Sequence, residues 1–125
     1  MIRVLVTGGS GFIGTNLVEA LMGEGYDVLS IDKVLPRLDS HMKCFHQGDV
    51  CDETFLKEIL KSFDPNYILH LAAMTGMDSS EPSDFKENYV SAELLCRFSG
   101  LLPSLKKIIF TSSLLVLSLI HISEP

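Results

Sequence analysis

The sequence has few cysteines, little positive charge and no long apolar run. Cys44, Cys51 and Cys96 are an odd number with no C-x-x-C pair. That excludes a disulfide framework and a cysteine-based zinc site, so no metal is expected, and it fits reduced thiols in a cytoplasmic setting. Lys and Arg total 10 against 16 Asp and Glu, a net charge of −6. This argues against nucleic acid or an anionic membrane surface as the main partner. The first apolar run is too short for a signal peptide. The run Ile108 to Ile122 is interrupted and falls short of the ~20 residues that span a bilayer. Neither repeats nor low-complexity segments occur. What is present is a hydrophobic content of 46% in 125 residues, enough for one core in one domain.

The chain is organised around Thr7-Gly8-Gly9-Ser10-Gly11-Phe12-Ile13-Gly14. An apolar run, Ile2 to Val6, precedes it. A helical pattern with apolar Ile13, Leu17, Val18, Leu21 and Met22 follows. Strand, glycine turn, helix is the context that a dinucleotide-binding fingerprint requires, and both G-x-G-x-x-G and G-x-x-G-x-x-G fit. One glycine permits a sharp turn, one lets backbone approach a pyrophosphate, and one packs helix against strand. The N–H groups and positive dipole end of the new helix then face the phosphates. Asp32 lies 18 residues after Gly14, where an acid is expected about 20 on. A carboxylate there accepts hydrogen bonds from the adenosine ribose and repels a 2′-phosphate, which favours NAD over NADP. Lys33 and Arg37 are nearby cations that soften that preference.

Further strands are expected near 27–31, 44–47, 67–71 and 108–111, separated by helices near 12–24, 53–63 and after Pro82, with a polar loop over 33–43. Asp52 reads as a helix N-cap. Asp49, at a strand end, is placed to meet an adenine amino group. His70 reads as a packed strand histidine. Phe85, Tyr89, Ala92 and Cys96 form a stripe on the last helix, with Leu95 and Phe98 beside it, and the default reading is core. The alternation implies an α/β fold, a doubly wound parallel sheet of about five strands in the order 3-2-1-4-5. Gly8–Gly14, Asp32, Asp49, Ala72 and Ser113 would then line one edge.

These residues, with Gly48-Asp49-Val50, His70-Leu71-Ala72-Ala73, Asn88 and Phe110-Thr111-Ser112-Ser113, resemble the extended short-chain dehydrogenase/reductase family. Within it they look like the NAD-dependent epimerase/dehydratases of nucleotide sugars. The resemblance implies a Rossmann domain over 1–116. It implies Gly8, Gly11, Phe12, Ile13 and Gly14 at the pyrophosphate, Asp32 at the ribose, Asp49 and Val50 at adenine, and Leu71, Ala72 and Ala73 along the cofactor groove. Ser113, with Ser112 as the alternative, would be the catalytic hydroxyl. For the parent protein it implies hydride transfer between a sugar carbon and NAD, a nucleotide-sugar substrate and a homodimer. The alternatives are another extended short-chain reductase, such as a hydroxysteroid dehydrogenase-like enzyme, or a non-catalytic NAD-binding regulatory module.

The sequence departs from the family pattern in two places. Tyr26, Tyr67 and Tyr89 are followed four residues on by Ser30, Leu71 and Glu93, so no Tyr-x-x-x-Lys base is present, and the chain alone is expected to be inactive. Residues 117–125 look like an adapter-derived tail. The expectation is an N-terminal fragment whose sheet is incomplete on its C-terminal side.

Overall fold

Neighbouring parallel strands need a crossover between them, and the chain supplies a helix or helical turn for each. The computed structural model describes residues 1–71 and 82–110. In order they form β1 (Arg3–Thr7), α1 (Phe12–Gly23), β2 (Asp27–Asp32), a 3-10 turn (Asp39–Cys44), β3 (Phe45–Gln47), α2 (Glu53–Phe63), β4 (Tyr67–His70), α3 (Pro82–Ser99) and β5 (Lys107–Phe110). All pairs are parallel, in the order β3-β2-β1-β4-β5. The expected sheet and its order are therefore observed. Ala72, Ala73, the loop 74–81, the side chains of Phe85 and Asn88, Ser112, Ser113 and residues 117–125 lie outside the described residues.

Alternation along the strands sets the layers. Val4, Val6 and Val28 pack with Val18 of α1 on one face. Leu5, Ile31 and Ile68 pack with Leu56, Ile59 and Leu60 of α2 and Leu94, Leu95 and Phe98 of α3 on the other. Because β1 is central and buried on both faces, its side chains read as a continuous apolar run. Asp52 caps α2, its carboxylate accepting from the Phe55 N–H at 3.2 Å. The helix stops at Asp64, whose left-handed backbone (φ 49°) precedes Pro65. Arg3 holds Asp64 there, Nε donating to its carbonyl at 2.6 Å.

Two expectations are corrected. The polar loop 33–43 contains the start of the 3-10 turn, and His41 within it is buried, its Nε2 lying 3.3 Å from Glu19 Oε1 on α1. The stripe on α3 is also rotated. Ser91, Leu94, Leu95 and Phe98 face the core, while Tyr89 is 70% exposed and Cys96 is exposed. Leu94, Leu95 and Phe98 bury more apolar area together than Ala92 and Cys96 could, and burial scales with that area.

Candidate functional site

The bend after β1 is built by close approach. Gly8 has a positive φ of 74°, which glycine adopts without strain. Its N–H donates to the Ile31 carbonyl at 2.9 Å, and its own carbonyl accepts from the Gly11 N–H at 3.2 Å. A Cβ on Gly14 would lie 2.2 Å from that carbonyl oxygen, and one on Gly9 would lie 1.9 Å from Ser30 Oγ. Backbone packing thus demands glycine at Gly14, and at Gly9 a side chain would have to displace the Ser30 hydroxyl. Gly11 differs: a Cβ there would meet nothing closer than the Gly8 oxygen at 3.5 Å, an ordinary contact. Among the described residues, nothing else fills that space in front of the helix. Gly11 is also the N-cap of α1, and among the described residues no side chain caps the first turn. The N–H groups of that turn are left to an anion or to water. Phe12 and Ile13, in the same turn, are 71% and 67% exposed.

Asp32 sits at the carboxyl end of β2, on the same side as the bend. Its Oδ2 accepts from the Ser10 N–H at 3.1 Å and its Oδ1 from the Val34 N–H at 3.3 Å. Ser10, the variable position inside the glycine pattern, is buried and held from three directions. Beyond the Asp32 contact, its hydroxyl donates to the Val34 carbonyl at 2.8 Å and its carbonyl accepts from Arg37 Nε at 3.1 Å. Ser10 and Val34 were invisible to motif reasoning, because apart from the Ser10 hydroxyl their contacts come from backbone groups that any residue carries.

The other candidates are placed as follows. Gly48 donates its N–H to the Asp32 carbonyl at 2.9 Å, which brings the segment after β3 alongside Asp32. Asp49 follows, half exposed, accepting from the Cys51 N–H at 2.8 Å with Lys33 Nζ 4.0 Å away. Val50 is buried in the core on the α2 and α3 side. Leu71, directly after β4, donates its N–H to the Thr7 carbonyl and to Thr7 Oγ1, each at 3.0 Å. One edge therefore carries Gly8–Gly14, Asp32, Asp49 and Leu71.

His70 is packed, as its strand position implied. Nδ1 lies 2.7 Å from Thr7 Oγ1 and Nε2 3.1 Å from Ser91 Oγ, and the ring meets Phe110 edge-on. Burial pushes its pKa down to about 4. The neutral ring can accept the Thr7 hydroxyl at one nitrogen and donate to Ser91 from the other. His70 thereby ties the strand that carries the bend to α3.

Residues 4–117 match the NAD dependent epimerase/dehydratase family. The chain belongs to that family. UDP-glucose 4-epimerase of Neisseria meningitidis serogroup C is 32% identical over 90% of this chain and 37% of its own length. The structure of UDP-glucose 4-epimerase from Thermotoga maritima with UDP-glucose superposes with a TM-score of 0.78 at 31% identity, over 90% of this chain and 38% of that one. UDP-glucose 4-epimerase from Bifidobacterium longum, solved with NAD+ and UDP, gives a TM-score of 0.76 at 29% identity, over 90% of this chain and 37% of that one. The chain thus spans little more than a third of the length of these epimerases. Among the described residues, no helix is long and apolar enough to cross a membrane.

Proposed function

We propose that this chain is the NAD-binding part of a nucleotide-sugar epimerase or dehydratase. The observation that supports this most directly is the hydrogen bond between Asp32 and the Ser10 N–H. It joins a ribose-type carboxylate at the end of β2 to a diphosphate-type bend at the end of β1, beside the β1–β4 point where the strand order reverses and an open α/β sheet usually binds its ligand. The residues present fit the cofactor. Gly11 leaves its Cβ space open, and the uncapped first turn of α1 offers amides to a diphosphate. Asp32 keeps lone pairs for ribose hydroxyls beyond the two N–H groups it already accepts. Asp49 and Val50 would border adenine, and Phe12, Ile13, Leu71, Ala72 and Ala73 would line the groove.

The chemistry that the cofactor supplies when bound is acceptance and return of a hydride at a sugar carbon. Ser113, or Ser112 beside it, would hydrogen-bond the reacting sugar oxygen. The proton acceptor expected of the family, a tyrosine with a lysine four residues on, has no counterpart in this sequence. The chain alone is therefore inactive in this reading, and the nucleotide-sugar activity and the homodimer belong to the parent protein.

Calorimetric titration with NAD tests the cofactor assignment. Binding is expected for the wild-type chain, with Gly11→Val abolishing it and Asp32→Ala weakening it by about tenfold or more, the loss of one charged hydrogen-bond acceptor. Equal binding by wild type and Gly11→Val defeats the assignment.

A further inference from the structure

Resting on the dinucleotide reading, we propose that His41 is a positioning residue. Held by Glu19, it anchors the connection between β2 and β3 and so keeps the Asp32 carboxylate in place for the ribose. From Lys33 to Lys43, every residue but His41 is exposed or half-buried, and His41 is 1% exposed. The apolar residues of this stretch do not hold it down. Val34 and Leu35 are each 59% exposed, and Met42 is 48% exposed. The buried attachment of the stretch therefore falls on one ring, and that ring has a single polar partner. Its Nε2 lies 3.3 Å from Glu19 Oε1 on α1, and a carboxylate only accepts, so Nε2 carries a proton. Nδ1 is buried with no hydrogen-bond partner among the described residues. An imidazole buried with both nitrogens unpaired would be better off in water. Glu19, itself more than half exposed, is thus the group that keeps the ring inside.

The anchor reaches Asp32 through backbone groups. The His41 N–H donates to the Leu38 carbonyl at 3.0 Å. Arg37, next to Leu38, donates from Nε to the Ser10 carbonyl, and the Ser10 hydroxyl donates to the Val34 carbonyl. The N–H groups of Ser10 and Val34 are the two donors that orient the Asp32 carboxylate. With the ring outside, the stretch from Val34 to Leu38 loses its fixed path, and Asp32 loses the exposed Val34 donor. A chain that spends part of its time in that open state binds its ligand more weakly, in proportion to the closed fraction. One helix holds both halves of the site. The first turn of α1 stands at the diphosphate bend, and Glu19, about two turns on, holds the anchor beside the ribose acid.

The test combines calorimetric titration with NAD and amide hydrogen exchange on the whole chain. The variants are Glu19→Ala, Glu19→Gln, His41→Leu and the double variant of Glu19→Ala with His41→Leu. Glu19→Ala is expected to weaken NAD binding about tenfold, the scale of one hydrogen bond to a charged group. It should also speed exchange at Val34 and His41 while the β1 amides keep wild-type protection, the signature of a local opening. Glu19→Gln keeps an acceptor oxygen and should recover most of the affinity. Leucine needs no polar partner, so with His41→Leu in place Glu19→Ala should leave NAD affinity unchanged. Suppose NAD binds, but Glu19→Ala leaves its affinity unchanged, weakens it equally with and without His41→Leu, or lowers protection of β1 as much as that of Val34. The role of His41 is then refuted while the dinucleotide site stands. If a wild-type chain that melts cooperatively binds no NAD, the dinucleotide site falls and this inference with it.

Discussion

Gly11 and Gly14 carry the same residue type for different reasons, and the difference can be measured. At Gly14 an added methyl would sit 2.2 Å from the Gly8 carbonyl oxygen and 2.7 Å from Gly9 Cα, both backbone atoms that cannot swing away. Gly14→Ala should therefore destabilise the fold by about 1–3 kcal/mol through overpacking, despite the better helix propensity of alanine. At Gly11 the same methyl meets only an ordinary contact, so Gly11→Ala should cost no more than the poorer N-cap, about 0.5–1 kcal/mol, and lose affinity for NAD. Thermal melts with and without NAD separate the two. His70 gives a second residue-scale prediction. Its pKa falls from 6.5 unfolded to about 4 folded, through burial. The unfolded chain then binds the proton more readily between those values, so stability is full above about pH 6.5 and declines as pH falls towards 4. The loss attributable to this ring is up to about 3 kcal/mol. Denaturant unfolding at pH 7 and pH 4.5 should show a smaller difference for His70→Asn than for wild type.

At the scale of elements, the helices show how much local sequence can decide. The N-cap of α2 is a purely local device, and Asp52 was readable as such before any contact was known. Asp52→Ala should cost about 1 kcal/mol, read as a lower urea midpoint with the slope unchanged. The strands were equally legible, because central parallel strands are apolar on both faces and stand out as runs. The rotation of α3 was not. Its apolar residues form two overlapping stripes, and the choice between them depends on what the sheet presents. Leu5 and Ile68 face Leu95 and Phe98 across the same cluster, which turns Tyr89 and Cys96 outward. The 3-10 turn was hidden for a related reason. Asp39, Ser40, His41 and Lys43 look like loop residues, and the His41 ring is buried only in the tertiary structure, where Glu19 of α1 lies 3.3 Å from its Nε2.

In the proposed reading, the whole molecule is the cofactor-binding portion, little more than a third of the epimerases it matches, and it lacks the tyrosine–lysine base expected from the family resemblance. The chain should therefore bind NAD and leave UDP-glucose unchanged in an assay coupled to UDP-galactose formation. Turnover by the chain itself would mean that another group takes the sugar proton. The candidate site is legible in outline for the same reason that the fold is. A glycine pattern, an acid about 20 residues later and an alternating order of strands and helices are properties of the chain read in one dimension.

By itself, the sequence determined the bend, the strand order and the acid at the end of β2, because backbone sterics, alternation and right-handed crossovers act over short stretches. Only the tertiary structure decided what those stretches do to one another. It set Ser10 between Asp32 and Arg37 and matched Lys33 with Asp49. It also left the space before Gly11 unfilled by the described residues. Those outcomes depend on distances between residues more than 20 positions apart in most cases, and such distances exist only once both layers have packed against the sheet.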